Sequence, residues 1–223
     1  MNYSLIIPIY NEEQSIEKLL AQINKIDKNI EIIIVNDGST DDTKVALGKL
    51  DTINVINHFK NKGKGAAIIT AVKYATNDNI ILMDGDLEIN LNCIPSLIEK
   101  YEFLDNHVIL GSRWNKKRKN ENNINTYGNF LFNFLFNFLY NTQITDVLCC
   151  VKVLKKSLFN SINLKSQGFS IEAEIMSKLA INKTRFYEVY VTYNRRTNKD
   201  GKKLKISDGW SILWQMLANK INY

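Results

Sequence analysis

The stretch NIILMDGDLE, residues 79–88, reads as a short buried strand that runs straight into acidic side chains. Residues 79–83 are almost wholly apolar, the pattern of a strand covered on both faces, as in a parallel sheet. Asp84-Gly85-Asp86 ends the run with turn-forming residues. Upstream the figure recurs. YSLIIPI (3–9) is followed by Tyr10-Asn11-Glu12, and EIIIV (31–35) by Asn36-Asp37-Gly38-Ser39. NVIN (54–57) and VILG (108–111) are two further short strands. Between them, Ile16, Leu19, Leu20 and Ile23 carry helical spacing within 11–26, and helices are predicted over 40–50 and 63–75. Strands alternating with helices imply an α/β protein built on a mostly parallel sheet. In open sheets of this kind ligands bind outside the carboxyl ends of the strands. The three polar clusters therefore belong to one candidate site.

Asp84, Asp86 and Glu88 stand at alternate positions, which in an extended segment point to one side. Hard oxygen ligands of this type suit Mg²⁺ or Mn²⁺, and such an ion neutralises charge developing on a leaving diphosphate. Asp37 to Asp42 reads either as part of the site or as a turn with a helix cap. Lys60 to Gly65 reads as a loop able to cradle phosphate through N–H groups at a helix start. It lacks the spacing GxxxxGK[ST], which excludes P-loop chemistry, and no GxGxxG occurs. His58 and His107 have no partner at zinc-ligand spacing, and no GxSxG is present. Glu172 and Glu174 read either as a general base or as anchors for Lys or Arg.

Composition agrees with a packed globular chain: 223 residues, 45% apolar and 23% charged. Charge is divided unevenly. Residues 1–110 carry 10 Lys, no Arg and 16 acidic residues, a net of −6, and residues 111–223 carry +12. The acidic half suits a divalent cation, and the basic half suits phosphate, nucleic acid or an anionic membrane surface. Residues 116–125 are polar and read as a loop. A tetrad repeat follows, which on a helix over 127–140 aligns Asn129, Asn133, Asn137 and Asn141 as one stripe amid Phe and Leu. Fourteen residues span about 21 Å, too short to cross a bilayer. That helix either lies at a membrane interface, or is buried on all sides, or packs against a second subunit. Asp208-Gly209 reads as a turn into a last helix, Trp210–Ile221. The chain lacks a Pro/Gly/Ser-rich linker, so 1–223 is expected to form one domain. No secretory signal or membrane span is expected, and Cys93, Cys149 and Cys150 fit a reduced, cytoplasmic setting.

Taken together, IIPIYNE (6–12), EIIIVNDGSTDDT (31–43), NKGKGAAI (61–68), ILMDGDLE (81–88) and GSRW (111–114) resemble family 2 glycosyltransferases of the GT-A fold. Asp146 with Lys152, GFSIEAE (168–174) and YNRRTNKDGKKL (193–204) extend the likeness over essentially the whole chain. Within that group it is similar to the dolichyl-phosphate mannose synthase and dolichyl-phosphate glucosyltransferase branch. The resemblance implies a Rossmann-like twisted sheet with helices on both faces, a nucleotide-sugar half (1–112) and an acceptor half (113–223). It implies that Pro8, Tyr10 and Glu12 hold the nucleoside and that Val35 and Asp37 contact the base. Asp84, Gly85 and Asp86 match the diphosphate–metal motif, with Glu88 in the place of a third metal ligand. Arg113 matches an Arg on the phosphates, and Arg196 with Lys202 a pair closing over donor and acceptor. The chain departs from the branch at Val147-Leu148-Cys149-Cys150-Val151, where relatives read TQCGF.

The implied reaction is inverting transfer of a hexose from a UDP-glucose or GDP-mannose type donor to a polyprenyl phosphate, with Mg²⁺ or Mn²⁺. The implied setting is cytoplasmic, with a peripheral membrane surface as partner. The alternative is a family 2 enzyme acting on a sugar hydroxyl in capsule or lipopolysaccharide assembly. That acceptor needs a base, for which Glu172 or Glu174 is the candidate. The carboxylate motif argues against a nucleic-acid partner. A homo-oligomer is left open.

Overall fold

The computed structural model describes residues 2–49, 53–105, 107–114, 124–196 and 208–221. The five expected strands are present: β1 (Tyr3–Ile9), β2 (Ile30–Asn36), β3 (Asn54–Asn57), β4 (Asn79–Leu82) and β5 (Val108–Ser112). The basic half adds β6 (Lys152–Lys155) and β7 (Phe186–Tyr190). They form one seven-stranded sheet in the order β3-β2-β1-β4-β6-β5-β7. Only β6 runs against its neighbours β4 and β5; every other pairing is parallel. The sheet is thus shared by both halves of the chain.

The helices are α1 (Ile16–Ile23), α2 (Thr43–Leu47), α3 (Lys64–Tyr74), α4 (Ile94–Phe103), α5 (Ile124–Tyr140), α6 (Lys156–Ser161), α7 (Ile171–Ile181) and α8 (Asp208–Ile221). Alternate residues of each central strand feed opposite cores. Ile6, Ile33, Ile80 and Leu110 pack with Ala67 and Ile68 of α3, Phe136 of α5 and Met176 of α7. Leu5, Ile34, Ile81 and Ile109 pack with Ile16 and Leu19 of α1 and Leu97 and Tyr101 of α4. Each fully buried Leu or Ile contributes about 1.5–3 kcal/mol.

Several boundaries differ from expectation. Helix α1 starts five residues later than residue 11, because Ser15 N and Ile16 N both donate to Glu12 O and hold residues 11–15 as a separate turn. Most of the 116–125 loop lies outside the described residues, and Ile124 and Asn125 open α5. Asp208 and Gly209 belong to α8 rather than to a turn before it.

Helix α5 answers the question of its environment with two faces. Phe136 and Tyr140 are buried, and Tyr140 Oη donates to Met216 O of α8 at 2.6 Å. Two members of the asparagine stripe, Asn133 and Asn137, are inward and structural, whereas Asn141 lies past the helix end and is exposed. Asn133 donates to Thr145 O and accepts from Val147 N at 2.9 Å. Asn137 donates to Ile144 O at 2.8 Å and accepts from Ile144 N at 2.9 Å. Side-chain amides thus satisfy the backbone of 144–147, which no strand pairs. The outer face shows Phe130, Leu131, Phe134 and Phe138, 51–78% exposed, and α8 beside it exposes Trp210, Trp214 and Ile221 at 71–80%. No helix of the described residues is long and apolar enough to cross a membrane.

Candidate active site

Parallel pairing brings the expected clusters together at one edge. Ile9 lies beside Asn36, Asp37 N donates to Ile9 O at 2.8 Å, and Met83 N donates to Ile6 O at 3.1 Å. Past β1, Asn11 takes a left-handed conformation (φ 49°), which Asn tolerates better than most residues. Asn11 N then donates to Ser39 Oγ at 2.9 Å and Glu12 N to Thr43 Oγ1 at 2.7 Å. The 10–12 and 37–43 segments are one interlocked wall. Pro8 and Tyr10 are partly exposed on it, and Glu12 is buried. Val35 has its side chain wholly in the core, so it supports the wall rather than facing a ligand.

Asp37 is also buried, and its carboxylate is fully engaged. Oδ1 accepts from Lys62 N at 3.0 Å and lies 2.6 Å from His58 Nδ1, and Oδ2 accepts from Gly63 N at 2.7 Å. His58 Nε2 lies 3.0 Å from Thr70 Oγ1. The cradle expected at Lys60–Gly65 therefore holds the protein's own carboxylate, set at the start of α3 where partial positive charge collects. Gly63, at φ 94°, and Gly65 let this loop pack onto the backbone of Ser166 and Gln167, and Ala66 N donates to Gln167 O at 3.2 Å. This corrects the phosphate-cradle reading. His58 itself carries no sequence signal, since its partner Asp37 lies just past the neighbouring strand β2.

The segment after β4 is a turn, not an extended run, so alternation does not align its carboxylates. Glu88 N folds back to Asp86 Oδ1 at 3.0 Å, and Leu87 sits at φ 61°. Gly85 is required because a Cβ there would lie 2.8 Å from Ile9 Cγ1. The three carboxylates part company. Asp84 Oδ2 meets Lys64 Nζ at 2.8 Å. Glu88 accepts from Arg196 N at 2.9 Å and from Tyr193 Oη at 3.2 Å. Asp86 lies between them. Burial, then Asp84 and Glu88, push its carboxyl up to about 7. Among the described residues no three His, Cys, Asp or Glu side chains converge to hold a metal by themselves, so the expected triad does not form. The surplus negative charge at Asp86 nevertheless fits a Mg²⁺-type ion, which takes one or two carboxylates and completes its shell with phosphate and water.

The basic half supplies cations, most of them already paired. Arg113 donates through Nε and Nη2 to Asp146 Oδ2 and Oδ1, both at 2.7 Å, and Arg113 N donates to Asp146 Oδ2 at 2.9 Å. Its guanidinium lies 5.3 Å from the Tyr193 ring centre. Glu188 of β7 fixes Asp146 by accepting from Thr145 N and Asp146 N at 2.9 and 3.1 Å. Arg196 Nη2 meets Glu12 Oε2 at 2.8 Å, joining the two halves across the Asp86 turn. Lys202 and its neighbour Lys203 lie outside the described residues.

Glu172 and Glu174 are anchors. Glu172 bonds Lys64 at 2.8 Å and Lys152 through its other oxygen. Burial acts to raise its carboxyl, but the two lysines outweigh that and bring it to about 2. Burial likewise lowers the Lys64 ammonium, and Asp84 and Glu172 reverse this, holding it well above its ordinary value. Glu174 accepts from Lys165 N and Ser166 N and pairs with Lys178 at 2.7 Å. Those partners overcome its burial and lower it too. Both groups are held as anions and neither is poised to take a proton near neutral pH.

The chain matches Glycosyl transferase family 2 over residues 4–162 and belongs to that family. It is 30% identical over 212 residues to a dolichol-phosphate mannosyltransferase of Pyrococcus furiosus, covering 91% of this chain and 59% of that protein. It is 28% identical over 176 residues to a dodecaprenyl-phosphate galacturonate synthase of Rhizobium johnstonii, covering 75% and 52%. The chain thus spans little more than half the length of these curated relatives. Its fold matches a crystal structure of glucosyl-3-phosphoglycerate synthase from Mycobacterium tuberculosis in complex with Mn²⁺, UDP and phosphoglyceric acid. That match has a TM-score of 0.77 at 16% identity and covers 98% of this chain and 78% of the other. The GT-A architecture implied by the motifs is therefore present.

Proposed function

We propose that the chain transfers a hexose from a nucleoside-diphosphate sugar to a polyprenyl phosphate. The donor is read at the wall of Pro8, Tyr10 and Glu12, with Asp37 holding the loop 62–63 behind it. Asp86 is the side chain that would hold a divalent ion, Mg²⁺ or Mn²⁺, beside the diphosphate. When bound, such an ion offsets the charge of the leaving nucleoside diphosphate. Arg113, oriented by Asp146, and Arg196 supply fixed positive charge on the same edge. An acceptor phosphate oxygen attacks the anomeric carbon, the bond from that carbon to the diphosphate oxygen breaks, and the nucleoside diphosphate leaves with the electron pair.

The observation that carries the acceptor assignment is the state of Glu172 and Glu174. A sugar hydroxyl must lose a proton as it attacks, and the two candidate bases are locked by lysines. A phosphate monoester, with a second pKa of about 6, arrives as an anion and needs no base. The exposed aromatic face of α5 and α8 supports a lipid-bearing acceptor, because Trp and Phe favour a membrane–water interface. Polyprenyl-phosphate chemistry in the names of the relatives points the same way.

The test is transfer from radiolabelled UDP-glucose and GDP-mannose, with Mn²⁺, to a short-chain polyprenyl phosphate and to free sugars. Label on the lipid phosphate alone is expected. Label on sugar hydroxyls alone would replace this reading with the glycan-extending one. A thermal-shift panel of nucleoside diphosphates identifies the base, since a ligand that binds only the native state raises its apparent stability.

A further inference from the structure

The family motif makes Glu88 a metal ligand, but the geometry gives its carboxylate another occupation. Both of its oxygens accept from a segment more than a hundred residues away: Oε1 from Arg196 N at 2.9 Å and Oε2 from Tyr193 Oη at 3.2 Å. Its main chain is engaged by the same segment. Asn194 N donates to Glu88 O at 2.7 Å, and Ile89 forms an antiparallel bridge with Tyr193. Residues 193–196 are therefore zipped across the Asp86 turn by both backbone and side chain. Within the described residues the zipper reaches Arg196, whose guanidinium meets Glu12 at 2.8 Å on the opposite wall. The Tyr193 ring meanwhile lies 5.3 Å from the Arg113 guanidinium.

We infer that Glu88 is a positioning residue: it anchors the 193–196 segment over the site so that Arg196 and Tyr193 are set against Glu12 and Arg113, and it does not ligate the cation. The assignment rests on the reading that Asp86 takes a divalent ion together with a nucleoside diphosphate. An amide and a phenol on separate oxygens fix the orientation of the Glu88 carboxylate toward that segment, so it is not free to swing toward an ion as a ligand with no such hold would be. Asp86 accepts only its own turn's amide among the hydrogen bonds described, which leaves it the better seat.

Two measurements separate the roles. The first is Mn²⁺ titration by calorimetry, in the presence of UDP or GDP, of the wild type, Asp86→Asn, Glu88→Gln and Glu88→Ala. The anchor role predicts that both Glu88 variants bind Mn²⁺ within about threefold of wild type while Asp86→Asn loses at least about tenfold, a change worth 1.4 kcal/mol. The second is amide hydrogen exchange at Arg196 without metal, read by mass spectrometry on peptides ending there. Glu88→Ala should accelerate it about tenfold or more, because the partly buried acceptor of that amide is lost. Glu88→Gln, which keeps an oxygen for the Arg196 amide, should change it far less. Loss of Mn²⁺ affinity in Glu88→Gln equal to that in Asp86→Asn overturns the inference, as does unaltered Arg196 exchange in Glu88→Ala. If the wild type binds no Mn²⁺ with either nucleotide, the proposed function falls, and the exchange measurement still decides the anchor.

Discussion

Asp86→Asn tests the electrostatics of the site without reference to turnover. The Asp86 carboxyl is pushed from its ordinary 3.8 to about 7, by burial first and by Asp84 and Glu88 next. The native state therefore holds this proton more tightly than the unfolded chain does. Because the folded value is the higher one, the contribution of this group to stability declines as pH rises from about 4 to about 7, and the full penalty stands above that. Three pH units at 1.36 kcal/mol each set an upper bound of about 4 kcal/mol, and solvent relaxation around a partly exposed group brings the expected value to about 1–3 kcal/mol. Asparagine preserves the shape and the Oδ1 that accepts from Glu88 N at 3.0 Å, and it replaces the other oxygen by a neutral amide nitrogen, removing the charge.

The assay is thermal unfolding in chelator at pH 4 and pH 8. At pH 8 Asp86→Asn should melt above the wild type by about 2–12 °C, at 2–4 °C per kcal/mol for a chain of this size. At pH 4, where the wild-type carboxyl carries its proton, the difference should shrink to within about a degree. Adding Mn²⁺ with a nucleoside diphosphate should raise the wild type and leave the variant unmoved. A variant less stable than wild type by the same margin at both pH values would refute the reasoning. The carboxylate would then be supported by its neighbours rather than crowded by them, and the turn would not be a seat waiting for positive charge.

Glu172→Ala leaves Lys64 and Lys152 buried without their shared anion and should cost about 3–5 kcal/mol in urea unfolding. Because the Glu172 carboxyl is lowered to about 2, its stabilisation is present above about 4.5 and is lost as pH falls toward 2; Glu172→Gln should lack that acid-labile component. Arg113→Lys keeps the charge but loses the paired donors to Asp146. It should cost about 1.5–3 kcal/mol, and combining it with Asp146→Asn should cost less than the sum of the two, as a double-mutant cycle in denaturant would read. Replacing Trp210, Trp214, Phe134 and Phe138 together by Ser should abolish co-sedimentation with anionic phospholipid vesicles while leaving nucleotide-induced thermal shifts intact. Retained sedimentation would remove the α5–α8 face from the membrane reading.

What the sequence disclosed, and what it hid, follows from how far apart interacting residues lie. The apolar runs of β1, β2 and β4 are local, and each is legible because a buried parallel strand must be apolar on both sides. Helix α7 was missed for the opposite reason: Ile171 through Ser177 and Leu179 are all buried, so the helix has no polar face and no period to detect. Its two glutamates read either as a general base or as anchors for Lys or Arg, and they are buried anchors because Lys64, Lys152 and Lys178 reach them. Strand β6 was disguised similarly, since Lys152 looks like a surface residue and is fully buried on Glu172. The tip of β4 misled in a subtler way. Residue types and spacing place three carboxylates at the tip of β4, but the alternation rule assumes an extended backbone, and the turn at Gly85–Leu87 sends Asp84, Asp86 and Glu88 to three different partners. The two outer carboxylates thereby do mechanical work. Asp84 ties the turn through Lys64 and Glu172 to α7, and Glu88 ties it to the segment that carries Arg196. Asp86 is left as the carboxylate crowded by the charge of its neighbours, which suits the proposed role of holding a cation. A substitution at Asp84 should therefore act through the buried lysine network, and one at Glu88 through the 193–196 segment. Only one at Asp86 should act on ion binding directly.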